Sequence, residues 1–363
     1  MRNIFLLIYT SIMLFFTACS TNQVQVKPTI VFPAYPEEPR ILFLDTYRGG
    51  TTTPDTSLTQ MINVFLGESE SEKAKSSYII KPYGVGILGK KLYVADPASG
   101  AVFIIDENSR EADFIGTGVV GRLSKPTSVA FDKNGIVYVS DSQLKTIQGY
   151  DSNGTQVFAL GGRLEFTNPT GIAIDEKSHR LYVIDTKAHH IKCFDIESKK
   201  LIFTIGKRGT EDGEFNFPTN AAVDRRNGNI IVCDTQNFRV QIFDKDGNFI
   251  RRFGKVGDRP GDFARPKGVA VDSEGNIYVN DSAFSNTQIF NENGELLMWF
   301  GSAGYGDTQY RLITGIYIDK EDKIIIADGF SGRAQTYQYI SKKWREKNPQ
   351  KYEKLKNFKI QKQ

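Results

Sequence analysis

Residues 266 to 301 read PKGVAVDSEGNIYVNDSAFSNTQIFNENGELLMWFG. Two alternating apolar runs, GVAVD and IYVND, are separated by a glycine-bearing turn, DSEG, and two further runs, TQIFN and LLMWFG, follow at short intervals. Alternation with β-branched and aromatic content marks each run as a short strand, and the Glu-Gly and Asn-Gly steps supply the turns between them. Nearly the same phrase is written six times between Tyr83 and Gln338. The acidic residue closing the second run falls at Asp96, Asp141, Asp185, Asp234, Asp281 and Asp328, at intervals of 45, 44, 49, 47 and 47 residues. A period in this range, with no helical stretch inside it, predicts radial repetition of small sheets. The expected fold is therefore all-β, a six-bladed β-propeller of four-stranded blades.

The repeats agree in detail. Opening strands are TSVAFD at 127–132, GIAIDE at 171–176, NAAVD at 220–224 and GVAVD at 268–272, with glycine or small residues near their starts that permit close packing where strands converge. The turns DKNG at 132–135, RRNG at 225–228 and DSEG at 272–275 need positive φ, which glycine adopts without a steric penalty. One twisted sheet cannot bury both of its faces, whereas six around an axis bury most of them and protect most edges. The aspartate closing every second strand is expected to accept hydrogen bonds at a turn. Recurrence in all six copies argues for a structural cap over six catalytic sites. The DKDGN and DSEGN strings lack EF-hand spacing and its terminal glutamate, so they read as hairpins.

The pattern PxGVAVD…GNIYVxD…NxRVQIFD…GxFIRxFG, matched best at residues 218 to 254, resembles the NHL repeat family over roughly residues 80 to 340. The glycine-rich stretches GKRGTEDGEFNFP at 206–218 and GKVGDRPGDFARP at 254–266 are similar to that family's connections between blades. Leu88 stands where an acidic residue is expected in the first copy, and Leu312 where proline is expected in the last. Ring closure needs a contribution from the N-terminus. RILFLD at 40–45 and MINVFLG at 61–67 resemble a third and a fourth strand for the blade begun by residues 315 to 327, while AQTYQY at 334–339 competes for the third place.

Outside the ring, Arg2, the apolar run Ile4 to Phe16, and Thr17-Ala18-Cys19 read as an export signal too short for a good membrane helix. FFTAC resembles the bacterial lipoprotein signal, which implies acylation of Cys19 and, from Ser20, an outer-membrane destination facing the periplasm or the cell exterior. An ordinary secretory signal with an incidental cysteine is the alternative. The organisation expected is signal at 1–18, tether at 19–39, propeller at 40–340 and a basic tail at 341–363. The tail holds nine lysines or arginines against two glutamates, whereas the whole chain has a net charge of only +4. Lys343, Trp344, Arg345, Tyr352, Lys354 and Phe358 are its candidate contacts, as a short helix against a partner or anionic lipid, or as a disordered solubilising segment. Cys193 and Cys233 lie in strand patterns of different repeats and read as buried free thiols.

Catalytic motifs are scarce. GxSxG, HExxH, P-loop and CxxCH patterns do not occur. His179, His189 and His190 all fall in the third repeat and cannot surround an axial metal without ligands from other blades. Asn220, Asp141, Asn280 and Asp328 are the nearest to a calcium set of the kind that propeller lactonases use, but no spacing selects them. No cofactor or metal is assigned. The near-neutral body and the export signal argue against nucleic acid as a ligand. Binding at the rim is the expected activity, with Arg163, Arg208, Arg259, Tyr305 and Arg311 as partner-facing residues, and with Phe166, Phe215 and Phe263 plugging grooves between blades. The chain reads as a lipid-anchored scaffold in a cell-envelope complex, with a secretion, polysaccharide or cytochrome system as the class of partner. A solute-binding or sensory propeller and a calcium-dependent hydrolase are the alternatives.

Overall fold

A computed structural model describes residues 28–34, 36–49 and 78–358. The export signal, Cys19 and the MINVFLG run lie outside the described residues. The chain divides after Ile30, and Val31–Gln363 forms one compact unit.

That unit is a six-bladed β-propeller. Five blades are consecutive four-stranded antiparallel meanders: residues 85–115, 126–161, 169–205, 218–253 and 266–300. The sixth is built from both ends of the ring. Its inner three strands are Ile313–Ile318, Lys323–Asp328 and Arg333–Tyr339, and Ile41–Tyr47 pairs antiparallel outside them, with Ile41 opposite Tyr339 and Tyr47 opposite Ala334. The sequence expectation is corrected in register. AQTYQY takes the third place and RILFLD moves outward to the fourth. A further short strand, Val31–Phe32, pairs with Leu42 and Ile41, so the ring begins at residue 31 and not at 40.

The core is a set of dry seams between blades. Tyr182, Ile184, Ile191 and Cys193 of blade three pack against Ala221, Ile230, Val232 and Phe243 of blade four, with Phe215 of the intervening connection inserted at their edge. Phe263 seals the next seam and Phe166 an earlier one. Each such ring removed from water contributes roughly 1.5–3 kcal/mol, which is why these three phenylalanines are core residues and not part of the docking surface. Near the axis the opening strands approach too closely for side chains. A Cβ added at Gly315 would lie 2.4 Å from the Tyr83 carbonyl oxygen of blade one.

The C-terminal residues are not a free tail. Lys342–Lys347 and Pro349–Lys356 form helices α1 and α2. Ser341 caps α1 by accepting the Trp344 N–H at 3.2 Å, and Pro349 opens α2, where a missing N–H costs nothing. Leu355 is buried with Val31, Leu42 and Ile340, and Trp344 and Tyr352 pack beside it. Among the described residues no helix is long and apolar enough to cross a membrane.

Candidate functional site

A propeller offers two ends. One, the connection face, carries the links between blades and the turns from second to third strands. The other carries the turns from first to second and from third to fourth strands.

The six repeat aspartates organise the connection face. Asp141 accepts the N–H groups of Ser124 and Lys125 at 2.7 and 2.9 Å on one carboxylate oxygen, and those of Gln143 and Leu144 at 3.0 and 2.9 Å on the other. It thereby fastens the incoming connection to the turn of its own blade. Asp96, Asp281 and Asp328 likewise accept N–H groups from both the connection and their own turn, whereas Asp185 accepts only those of the connection, from Thr167 and Asn168. In blade four, Asp234 accepts from the Asn216 N–H and from Arg239 Nε at 2.8 Å. Burial pushes its carboxyl above the ordinary range, against the opposing pull of those bonds.

Arg239 and Arg333 escaped the sequence reading. Each sits directly across the ladder from its blade's aspartate and is almost wholly buried. The Arg239 guanidinium also donates to the carbonyls of Thr210, Glu211 and Glu214, and Arg333 to those of Tyr305 and Gln309. Each therefore pins a whole connection. Arginine stands at the ladder position opposite the cap in only two copies, so the repeat carries no signal for it. In blade three that position holds His190, whose Nε2 lies 3.9 Å from Asp185 and whose pKa burial lowers against that carboxylate. His189 Nδ1 accepts the Phe217 N–H. His179 takes the positive-φ position of a turn at 53°.

The calcium set does not converge. Asp141 and Asp328 are consumed as caps, Asn220 accepts the Val269 N–H, and Asn280 donates to Thr314. Among the described residues no cluster of three or more His, Cys, Asp or Glu could hold a metal ion. Cys193 and Cys233 are buried and free, and burial pushes the Cys193 thiol up to about 12, so neither is poised as a nucleophile.

Exposed apolar groups are distributed unevenly between the two ends. Tyr78, Ile80, Val119, Val120, Leu144, Leu164, Phe217, Val256, Tyr305 and Phe330 all lie on the connection face. The other large exposed apolar side chains, Val157, Leu201, Ile202, Ile250, Leu297 and Trp299, lie on outer strands, and none falls in the turns of the opposite face among the described residues. Arg163, Arg208 and Arg259 are exposed on the same face but in separate connections. Tyr305 and Arg311 do come together. The Arg311 guanidinium stands 5.0 Å from the Tyr305 ring and 5.4 Å from that of Phe330, both rings being more than half exposed. Of the tail candidates, Lys343 pairs with Glu321 and Arg345 faces Glu38 at 3.6 Å, while Trp344 and Tyr352 turn onto the ring. Lys354 is exposed and Phe358 half-buried.

At the axis, the opening strands of all six blades enclose a cavity of about 470 Å³ that widens toward the turn face. Its far end is closed by hydroxyl groups bonded from blade to blade. Thr170 Oγ1 donates to the Thr219 carbonyl, Thr219 Oγ1 to that of Lys267, and Thr314 Oγ1 to that of Pro82. Only about 10 Å³ remains beyond them.

The comparisons agree with this architecture. A family described as "6-bladed beta-propeller" matches residues 210–283, and the NHL repeat matches residues 166–194. The chain is a six-bladed β-propeller with a stretch similar to the NHL repeat. NHL repeat-containing protein 2 of Bos taurus and of Homo sapiens are each 27% identical to it over 175 residues, 37% of this chain. The match spans only 24% of those relatives' length. Among solved structures, a Bacteroides thetaiotaomicron protein of unknown function is similar with a TM-score of 0.58 at 17% identity, covering 72% of this chain and 70% of that one. Virginiamycin B lyase from Staphylococcus aureus is similar with a TM-score of 0.54 at 12% identity, covering 72% and 96%. At these identities the likeness is one of fold.

Proposed function

We propose that this propeller is a protein-docking module of the cell envelope, tethered by a lipid on Cys19 and receiving its partner on the connection face. The observation that carries the docking reading is the distribution of exposed apolar side chains, abundant at one end of the ring and, among the described residues, missing from the turns at the other. Large apolar side chains left exposed at one end of a ring mark a surface that another molecule covers. Arg311 between Tyr305 and Phe330 has the composition of an interface anchor, since aromatic rings and arginine dominate binding energy in such surfaces. The buried Arg333 bond to the Tyr305 carbonyl holds that anchor in place before binding, which lowers the ordering cost. The envelope and lipid parts of the reading rest on the FFTAC signal. The partner is a protein of an envelope assembly, of the secretion, polysaccharide or cytochrome kind.

Site-specific photocrosslinking in native membranes tests this. A crosslinking residue at Leu164 or Tyr305 is expected to capture a discrete partner, whereas one at Asn153 or Asn227, in turns of the opposite face, captures none. Capture from the turn face alone would overturn the assignment. Labelled palmitate incorporated by the native chain, and lost in Cys19→Ala, tests the anchor separately.

A further inference from the structure

The axial cavity opens on the end of the ring opposite the docking face, so what it binds is independent of that reading. Its wall is apolar for most of its depth, with Ala130, Ile172, Ile174, Ala222, Ala270 and Tyr317 contributed by different blades. A blind pocket of about 470 Å³ lies within the usual span of small-molecule sites, about 300–1,000 Å³.

The mouth is bridged by side chains from non-adjacent blades. Arg225 of blade four reaches past blade five and donates to the Ile318 carbonyl at 3.1 and 3.2 Å and to the Asp319 carbonyl at 2.7 Å of blade six. Lys320 of blade six reaches Glu176 of blade three at 3.1 Å. The two cations differ in what neutralises them. Lys320 has a carboxylate within ion-pair distance, whereas Arg225 donates only to carbonyls and makes no ion pair among the described residues, the Asp319 carboxyl lying near enough only to feel its charge. Its guanidinium is also close enough to Tyr317 to oppose the burial that pushes this phenol up to about 12, which places the charge where the apolar wall meets the mouth.

We propose that the funnel is a binding site for a small amphipathic carboxylate, with its hydrocarbon body in the lumen and its carboxylate on Arg225. A guanidinium held at the edge of a low-dielectric pocket gives an anion a charge-assisted partner, and forked geometry favours a carboxylate over a hydroxyl. The lumen accounts for the body, because the polar side chains of its deep wall, Ser128 and Asn220, already accept the Ile172 and Val269 N–H groups and the rest of the wall is largely apolar.

Titration calorimetry on the full chain, with decanoate and decanol as probes, decides the matter. Decanoate is expected to bind saturably at one site per chain and more tightly than decanol. Arg225→Gln is expected to weaken decanoate at least about tenfold, leave decanol unchanged and be rescued in part by Arg225→Lys. Ala222→Trp, which fills the lumen, is expected to abolish both. If that variant does not fold, Ile174→Phe serves the same purpose, with an unchanged unfolding midpoint as the control. Equal affinity for the two probes, or indifference of decanoate to Arg225→Gln, overturns the carboxylate assignment. Absence of saturable binding by either probe overturns the site.

Discussion

Asp272 carries the same turn chemistry as its counterparts in other blades but in a drier place. Its carboxylate accepts the N–H groups of Glu274 and Asn276 at 2.9 Å and the Tyr278 hydroxyl at 3.0 Å. Burial nonetheless pushes its pKa up to about 6, helped by the neighbouring Asp322 and opposed by the bonds from Asn276 and Tyr278. The folded state thus holds a proton that the unfolded chain, with an ordinary aspartate near 3.9, has already released. Stability from this group is full below pH 4 and is lost as pH rises through about 6, by roughly 3 kcal/mol over the window. Carboxyl carbon NMR should show Asp272 titrating near 6. Denaturant midpoints should fall less steeply between pH 4 and 7 in Asp272→Asn than in the native chain. Asp234 makes a related point about legibility. Its recurrence was visible in the repeat, and a structural role followed from that recurrence. That a buried Arg239 would answer it was not visible, because arginine opposite the cap is a feature of two blades and not of the period.

At the scale of elements, the strands were legible because alternation has a period of two and each run is bounded by a turn residue. The C-terminal helices were only half legible. Tyr352, Leu355 and Phe358 recur at about one helical turn, but nothing in that spacing says whether the apolar side faces a partner, a lipid or the ring. The structure turns Leu355, with Trp344 and Tyr352 beside it, onto the outer edge of the closing blade. There the helices cover Val31–Phe32 and Ile41–Tyr47, an edge that would otherwise be open to pairing with another chain. Leu355→Asp is expected to detach α1 and α2 while the ring persists. The measurement is rapid tryptic cleavage among Lys351, Lys354 and Lys356, with the main thermal transition retained. Ser341→Ala should move in the same direction but less far, by about 1 kcal/mol of helix stability.

For the whole molecule, closure is the decisive interaction. Residues 41–47 bring Ile41, Leu42, Phe43 and Tyr47 into the core from a point in sequence almost 300 residues before their partner strand. Each buried large apolar side chain is worth roughly 1.5–3 kcal/mol, and total stability is commonly about 5–15 kcal/mol. A truncation lacking residues 1–47 is therefore expected to lose the cooperative thermal transition, read by calorimetry, instead of merely shifting it. A transition unchanged in midpoint and enthalpy would mean that the blade closes without its fourth strand. The two ends of the ring also separate its proposed activities, so damage to the funnel should leave partner capture at Leu164 and Tyr305 intact.

Local chemistry determined the blades: the number of repeats, their strands, the turns demanding positive φ and the absence of familiar catalytic signatures all follow from residue type and spacing over about 45 residues. Tertiary structure alone decided which strand closes the ring and which apolar side chains stay wet. It also decided that the basic C-terminus folds back on its own propeller, and that Arg225 meets the mouth of an apolar funnel. Those outcomes depend on distances between residues far apart in the chain, where many pairings satisfy the same hydrophobic pattern and only simultaneous packing of all six blades selects one.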